Sequence, residues 1–343
     1  MHGQESRIVV AGAGSIGCYA GGCLALAGRR VTLLARPRLV EAICQGGLRV
    51  SDLEARDRQV RPDALSATAD PVAALSSADV ILVTVKSGAT VGMAGLIAAH
   101  APEHAVVVSL QNGVGNADKL RQALPGHRVL AGMVPFNVVQ SREGERPLRV
   151  HRASEGKVAI EDGVAGLTGL LGVEGFQVET HADMAAVLWG KLLMNLNNAL
   201  VALSGLPLAT ELADRRWRLI LAAQIDEALV AMKAANIRPA GIAGLRPALL
   251  PHLLRLPDWV FRRLARRMLA IDPEARSSMW DDLERRRPTE INELQGAILG
   301  LSERTGAPAP VTRRVTDLVR EAEQVGKGPP GLSPDAIMAR GAG

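Results

Sequence analysis

Arg7-Ile8-Val9-Val10-Ala11-Gly12-Ala13-Gly14-Ser15-Ile16-Gly17 joins a continuous apolar run to a G-x-G-x-x-G turn. Such a run fits a strand buried on both faces of a parallel sheet. Each glycine then has a task. Gly12 permits the tight turn, Gly14 lets the backbone approach a pyrophosphate, and Gly17 allows close helix–strand packing. The following helix would point its N-terminus at the phosphates, with Ala13, Ser15 and Ile16 in the same loop. The motif alone also fits a glycine-rich turn without a ligand. Its context strengthens the binding reading, because a helix-type stretch and a second β-type run (31–35) follow at the right distance.

Further β-type runs lie at 80–85, 105–109, 129–134, 148–151, 157–160 and 176–179, alternating with helix-type stretches. Those at 148–151 and 157–160 read as a hairpin across 152–156. Strand alternating with helix predicts a doubly wound, Rossmann-like α/β domain. From about residue 182 helical periodicity takes over, at 183–204, 215–236, 258–269, 273–286, 289–305 and 312–325. Asp272-Pro273-Glu274 reads as a helix start, and 239–257 as a loop with short helical pieces. Gly296 and Gly300 suggest close packing of their helix. The expected organisation is a dinucleotide-binding domain at 1–182 and an all-α substrate and catalytic domain at 183–325. A Gly/Pro/Ala-rich flexible tail at 326–343 completes it. A cleft between the two domains is where chemistry is expected.

Composition narrows the function classes. A length of 343 residues suggests two domains. Aromatic residues are only 2%, too few for the stacking platforms of single-strand nucleic-acid binders. A net charge of +5 favours an anionic small molecule over a DNA duplex. Cys18, Cys23 and Cys44 form no disulfide framework and the histidines show no metal spacing, so no metal is expected. The expected setting is reduced and cytoplasmic. Residues 8–28 are almost uncharged and about as long as a membrane span. Their flanks do not suit a signal peptide and five glycines interrupt them, so no membrane partner is expected. Arg262, Arg263, Arg266 and Arg267 form a basic face that reads as solvated rather than as a nucleic-acid site.

The end of the second run selects the cofactor. An NAD site places an acid there, about 20 residues after the motif, to hold the ribose 2′-hydroxyl. This chain has Leu34-Ala35-Arg36-Pro37-Arg38 instead. Arg36, helped by Arg38, can pair with a 2′-phosphate, which favours NADP(H); the plainer alternative is a solvated loop arginine. Lys86 and Gln111-Asn112-Gly113 follow two further strands, where ligands of open α/β sheets bind. The sharpest signal lies at 187–198. Lys191, Asn195 and Asn198 share one stripe of a nearly apolar helix, which is costly unless something polar faces them. A proton donor with substrate-orienting amides would explain the stripe; so would a lysine reaching solvent and amides capping a neighbour. Glu290, just past Pro288, reads either as a helix-start carboxylate or as an active-site acid.

Taken together, these residues resemble the ketopantoate reductase (2-dehydropantoate 2-reductase) family over nearly the whole chain. The likeness rests on the glycine motif, Lys86, Gln111-Asn112-Gly113-Val114-Gly115 and the Trp-x-Lys-Leu helix. Ser277-Ser278-Met279 and Arg287-Pro288-Thr289-Glu290-Ile291 extend it. It implies NADPH-dependent reduction of a 2-oxo acid to a 2-hydroxy acid, with 2-dehydropantoate becoming pantoate in pantothenate and coenzyme A biosynthesis. It further implies that Lys191 is the catalytic lysine, Glu290 its acidic partner, and Asn112, Asn195 and Ser278 orienting groups. Some members carry an asparagine where this chain has Ala199, for which Asn198 can substitute, and another where it has Ala275. The 242–269 stretch is longer than in compact members. These departures touch substrate selection, leaving a related dehydrogenase for another 2-oxo or 3-hydroxy acid as the alternative. A non-catalytic NADP-binding sensor is less favoured. A homodimer stays open.

Overall fold

The computed structural model describes residues 6–141, 147–241, 244–264 and 275–339. The chain divides into two compact units, the first ending at Met184 and the second beginning at Ala185.

In the first unit the described residues form twelve strands. These are β1 (Arg7–Ala11), β2 (Arg30–Leu34), β3 (Leu48–Ser51), β4 (Asp57–Val60), β5 (Ser66–Thr68) and β6 (Val80–Val83), followed by β7 (Val106–Ser109), β8 (Arg128–Met133), β9 (Val138–Ser141), β10 (Leu148–Arg152), β11 (Val158–Glu161) and β12 (Val178–His181). Eight of them make one sheet in the order β12-β11-β8-β7-β6-β1-β2-β5. The run from β5 to β8 is wholly parallel, β11 is antiparallel to β8 and β12 parallel to β11. The parallel part has the doubly wound order expected from the alternating pattern. Its central strands β6 and β7 are buried at every residue, as their unbroken apolar sequence demands.

A second sheet, in the order β4-β3-β10-β9, was not anticipated. It corrects the hairpin reading of 148–151 and 157–160. β10 pairs with β3 and β9, whereas β11 pairs with β8 and β12. The physical reason lies in burial. β10 alternates buried and half-buried residues, fit for a sheet covered on one face, while Val158, Ala159 and Ile160 of β11 are all buried. The Arg152 guanidinium donates to the carbonyls of Ser154, Gly156 and Gly175, fixing the turn that carries the chain from one sheet to the other.

The helix Ser15–Leu26 packs against both sheets. A side-chain carbon on Gly21 would lie 2.5 Å from Leu33 Cδ2 of β2, and one on Gly22 2.5 Å from Val50 Cγ2 of β3. Glycine lets this helix touch a sheet on each side, and residues 17–25 are buried throughout. The uncharged 8–28 stretch is therefore a core strand and helix.

In the second unit the reading of 183–204 as one helix is corrected. It breaks at Leu196 into Met184–Asn195 and Asn197–Ser204. By length and composition Met184–Ser204 could cross a membrane, yet residues 199–203 are completely buried, as in a core helix. Arg215–Ala234, Gln295–Thr305 and Pro310–Val325 pack around one another. The helix expected from residue 289 begins only at Gln295, and that expected from 273 is described from Ser278 to Glu284. The 265–274 portion of these readings lies outside the described residues, as do Arg266 and Arg267. Among the described residues, the atoms nearest a carbon added at Gly296 belong to Ile291 and Asn292 of the preceding turn, and at Gly300 to Arg304 of the same helix. The flexible-tail reading of 326–343 is corrected as far as residue 339. Leu332 N donates to Leu203 O, and the helix Pro334–Met338 buries Ile337, because its apolar side chains find a surface on the second unit.

Substituting Gly22 by alanine forces its methyl into Val50. We expect a loss of about 1–3 kcal/mol in stability by denaturant unfolding, the cost of overpacking a tight core. An unchanged midpoint would show that the small sheet gives way freely.

Candidate active site

Strand register assembles the first group of residues. Ala11 pairs with Leu34 and with Val83, and Val83 pairs with Ser109. Gly12, Arg36, Lys86 and Asn112 consequently leave the sheet at the carboxyl ends of four adjacent parallel strands. Strand order reverses direction between β1 and β6, the place where such sheets take a ligand.

The three motif glycines are constrained differently. Gly12 has φ +105°, and a side-chain carbon there would lie 2.5 Å from Val85 Cγ1. At Gly17 it would meet Gly12 O at 2.5 Å. At Gly14 nothing lies within 4 Å, so the protein itself does not demand glycine there. Open space above an exposed glycine at a helix start is where a pyrophosphate would rest. The amides of Gly12 and Ala13 donate to Leu34 O and that of Gly14 to Gly12 O. This leaves the first-turn amides at Ser15, Ile16 and Gly17 to face an anion. No side chain caps this helix. The turn therefore fits a dinucleotide.

Arg36 is exposed and caps the helix Pro37–Gly46 by its backbone, with Pro37 at the first position. Its guanidinium makes no hydrogen bond or ion pair among the described residues. Lys86 is exposed at the start of the short turn Ser87–Ala89.

Beneath these residues runs a hydrogen-bond relay that sequence reasoning missed. Ser109 Oγ donates to Gln111 Oε1 (3.1 Å), and Gln111 Nε2 to Thr90 Oγ1 (2.7 Å) and Val85 O (3.0 Å). Thr90 Oγ1 donates to Asn116 Oδ1 (3.1 Å). Asn116 Nδ2 then donates to Ser87 Oγ (2.8 Å) and Asn112 O (2.6 Å). Both amide groups use both hydrogens, so the buried network is closed. It ties the loop after β6 to the loop after β7 and so sets Lys86 and Asn112. The only trace in the sequence is the run of small polar residues just past each apolar strand.

The second unit holds the other candidates. Lys191 and Asn195 are both half-buried on the helix Met184–Asn195. Burial pushes the Lys191 ammonium down to about 8. Gly190 beside it is required by space, since a side-chain carbon would lie 2.7 Å from Ala240 O. Just after Asn195, at the break, Gln295 Nε2 donates to Leu196 O at 2.8 Å. Gln295, also missed from sequence, thereby fastens the Lys191 helix to the segment carrying Glu290.

Asn198 and Ser278 are brought together, but through Ser277. Ser277 Oγ donates to Asn198 O (2.9 Å) and accepts from Trp280 N (3.1 Å), capping the helix Ser278–Glu284. Ser277 is buried, whereas Ser278 is exposed at the first helical position. The helix-start reading of Glu290 is corrected. It lies in a turn ahead of the helix, its carbonyl accepting from Glu293 N and Leu294 N. Thr289 Oγ1 caps that turn, and Thr289 N donates to Glu323 Oε1 at 2.7 Å. Proline at 288 and the Glu323 tether start the turn early. Among the described residues no cluster of His, Cys, Asp or Glu could hold a metal.

Comparison with known proteins agrees with this anatomy. The family model "Ketopantoate reductase PanE/ApbA" matches residues 8–164, and its C-terminal counterpart residues 183–323. The 2-dehydropantoate 2-reductase of Halobacterium salinarum is 29% identical, covering 93% of this chain and all of its own. A PanE/ApbA family ketopantoate reductase from Ralstonia eutropha JMP134 superimposes with TM-score 0.78 at 32% identity, over 94% of this chain and 99% of its own. A D-mandelate dehydrogenase solved with NADH shares the fold at TM-score 0.75 and 20% identity, over 93% and 99%. Two family models that together span most of the sequence, with a full-length relative above 30% identity, place this chain in the ketopantoate reductase family of NADPH-dependent oxidoreductases.

Proposed function

We propose that the chain reduces 2-dehydropantoate to pantoate with NADPH, using Lys191 as proton donor. One observation carries the assignment of that role: Lys191 is half-buried on the nearly apolar helix that also presents Asn195, where burial pushes its ammonium down to about 8. A ketone that accepts hydride develops negative charge on its oxygen. A lysine poised near neutral pH stabilises that charge and then releases its proton to it.

The first unit supplies the cofactor site. The first-turn amides at 15–17 and the open face of Gly14 hold the pyrophosphate, Arg36 the 2′-phosphate, and Lys86 and Asn112 border the strand-end loops. NADPH, when bound, supplies the hydride to the substrate carbonyl carbon. Asn112, Asn195, Asn198 and Ser278 orient the carboxylate and hydroxyl of the substrate, and Glu290 steers Lys191 or accepts from a substrate hydroxyl. Ala199 is completely buried, so the asparagine that some relatives carry there is replaced by an orienting amide at Asn198. The free thiols of Cys18, Cys23 and Cys44 suit a cytoplasmic setting.

Steady-state NADPH oxidation with 2-dehydropantoate, pyruvate and branched 2-oxo acids tests the substrate. We expect kcat/KM for 2-dehydropantoate to exceed that for pyruvate by about 10²-fold, since pyruvate leaves the hydroxyl-binding groups unpaired. A higher value for another 2-oxo acid would transfer the assignment to that acid. Lys191→Ala should fold and lose roughly 10²–10⁴-fold in kcat, with NADPH binding little changed; near-normal kcat would place the acid elsewhere. Arg36→Ala should weaken NADPH by about 1.5–3 kcal/mol, roughly tenfold or more in KM, and leave NADH nearly untouched. Equal losses for both cofactors would make Arg36 structural.

A further inference from the structure

The second unit buries a carboxyl group for which the proposed reaction has no use. Glu211 lies in the helix Leu208–Ala213 with no exposed surface, and Asn197 Nδ2 donates to its Oε2 at 3.0 Å. Two acceptors are left over. Glu211 Oε1 and Asn197 Oδ1 have no hydrogen-bond partner among the described residues. An ionised carboxylate can only accept, so it would leave both oxygens unmet and a charge buried against one amide. A single proton on Oε1, donated to Oδ1, would satisfy both and pair acid with amide through two hydrogen bonds. Burial pushes the Glu211 carboxyl from 4.5 up to about 8; the Asn197 hydrogen bond opposes this and nearby Asp214 adds to it. The two helices packed against it, Asn197–Ser204 and Arg215–Ala234, bring no other charge that acts on it among the described residues. Asp214 itself is held by Arg216.

The position of the pair gives it a role. Asn197 follows the break at Leu196 and directly precedes Asn198. Leu208 N, at the start of the Glu211 helix, donates to Ala275 O at 2.9 Å, three residues before Ser278. The Glu211 helix is thus fastened to both segments that carry Asn198 and Ser278, themselves joined by the Ser277–Asn198 hydrogen bond. We propose that Glu211, kept as the neutral acid and paired with Asn197, is a positioning residue that sets Asn198 and Ser278 for the 2-oxo acid. The role in positioning rests on the substrate reading above; the neutral acid does not.

Two variants of the full chain test it, Glu211→Gln and Glu211→Leu. Glutamine reproduces the paired hydrogen bonds without a titrating proton. Unfolded Glu211 releases its proton near 4.5 and folded Glu211 near 8, so raising the pH between these values favours unfolding of the wild type alone. Calorimetry should show the wild-type Tm falling by several degrees relative to Glu211→Gln between pH 5 and 8. Glu211→Gln should keep substrate KM and kcat within about twofold, whereas Glu211→Leu, which orphans the Asn197 amide, should raise substrate KM about tenfold and leave the KM for NADPH unchanged. A Tm difference that does not vary with pH would overturn the neutral acid, and an unaltered substrate KM in Glu211→Leu would overturn the positioning role. If Glu211→Leu does not fold, loss of substrate KM in Glu211→Gln overturns it instead. Wild type that reduces no 2-oxo acid would refute the substrate reading, and the calorimetric comparison would still decide the state of Glu211.

Discussion

The close approach of the helix Ser15–Leu26 to both sheets is the constraint on which the first unit depends. Gly17 lets its first turn lie against the end of β1, Gly21 admits Leu33, and Gly22 admits Val50. A larger residue at any of the three would lift the helix from one sheet or the other. Its N-terminus would then no longer meet the carboxyl ends of β1 and β6, where the unmatched amides can receive an anion. The geometry of the dinucleotide turn is therefore set by packing up to about two turns away from it, and the small sheet braces the helix from its other side.

In each unit the candidate residues are positioned by buried amides. In the first unit, Gln111 and Asn116 close a network in which every amide hydrogen is used, so the loops bearing Lys86 and Asn112 have one low-energy arrangement. In the second, Gln295 Nε2 donates to the Leu196 carbonyl at the break after Asn195.

The parallel sheet was legible because β1, β6 and β7 are unbroken apolar runs, and the glycine turn because its three glycines sit at fixed spacing. The second sheet was not. Asp57-Arg58-Gln59-Val60 exposes three of its four residues, so β4 carries no apolar signature, and β10 looks locally like half of a hairpin until its partner β3, a hundred residues away, is known. Lys191, Asn195 and Asn198 stood out as polar residues in an apolar helix. The break between them did not, because Leu196 is an ordinary helix former and the group that meets its carbonyl, Gln295, lies far along the chain. Ser277 and Ser278 are identical in sequence, and only burial separates the capping residue from the exposed one.

In the proposed reaction, Lys191, half-buried on an apolar helix, protonates the reduced carbonyl. The most direct test of that role is the pH dependence of kcat/KM in both directions of the reaction. If Lys191 is the proton donor, reduction requires its ammonium form, so kcat/KM should hold steady at lower pH and fall about tenfold per unit above about 8. Oxidation of the 2-hydroxy acid requires the neutral amine and should rise with pH through the same value. A reduction profile that stays flat through pH 8 and on to 10 would contradict the account.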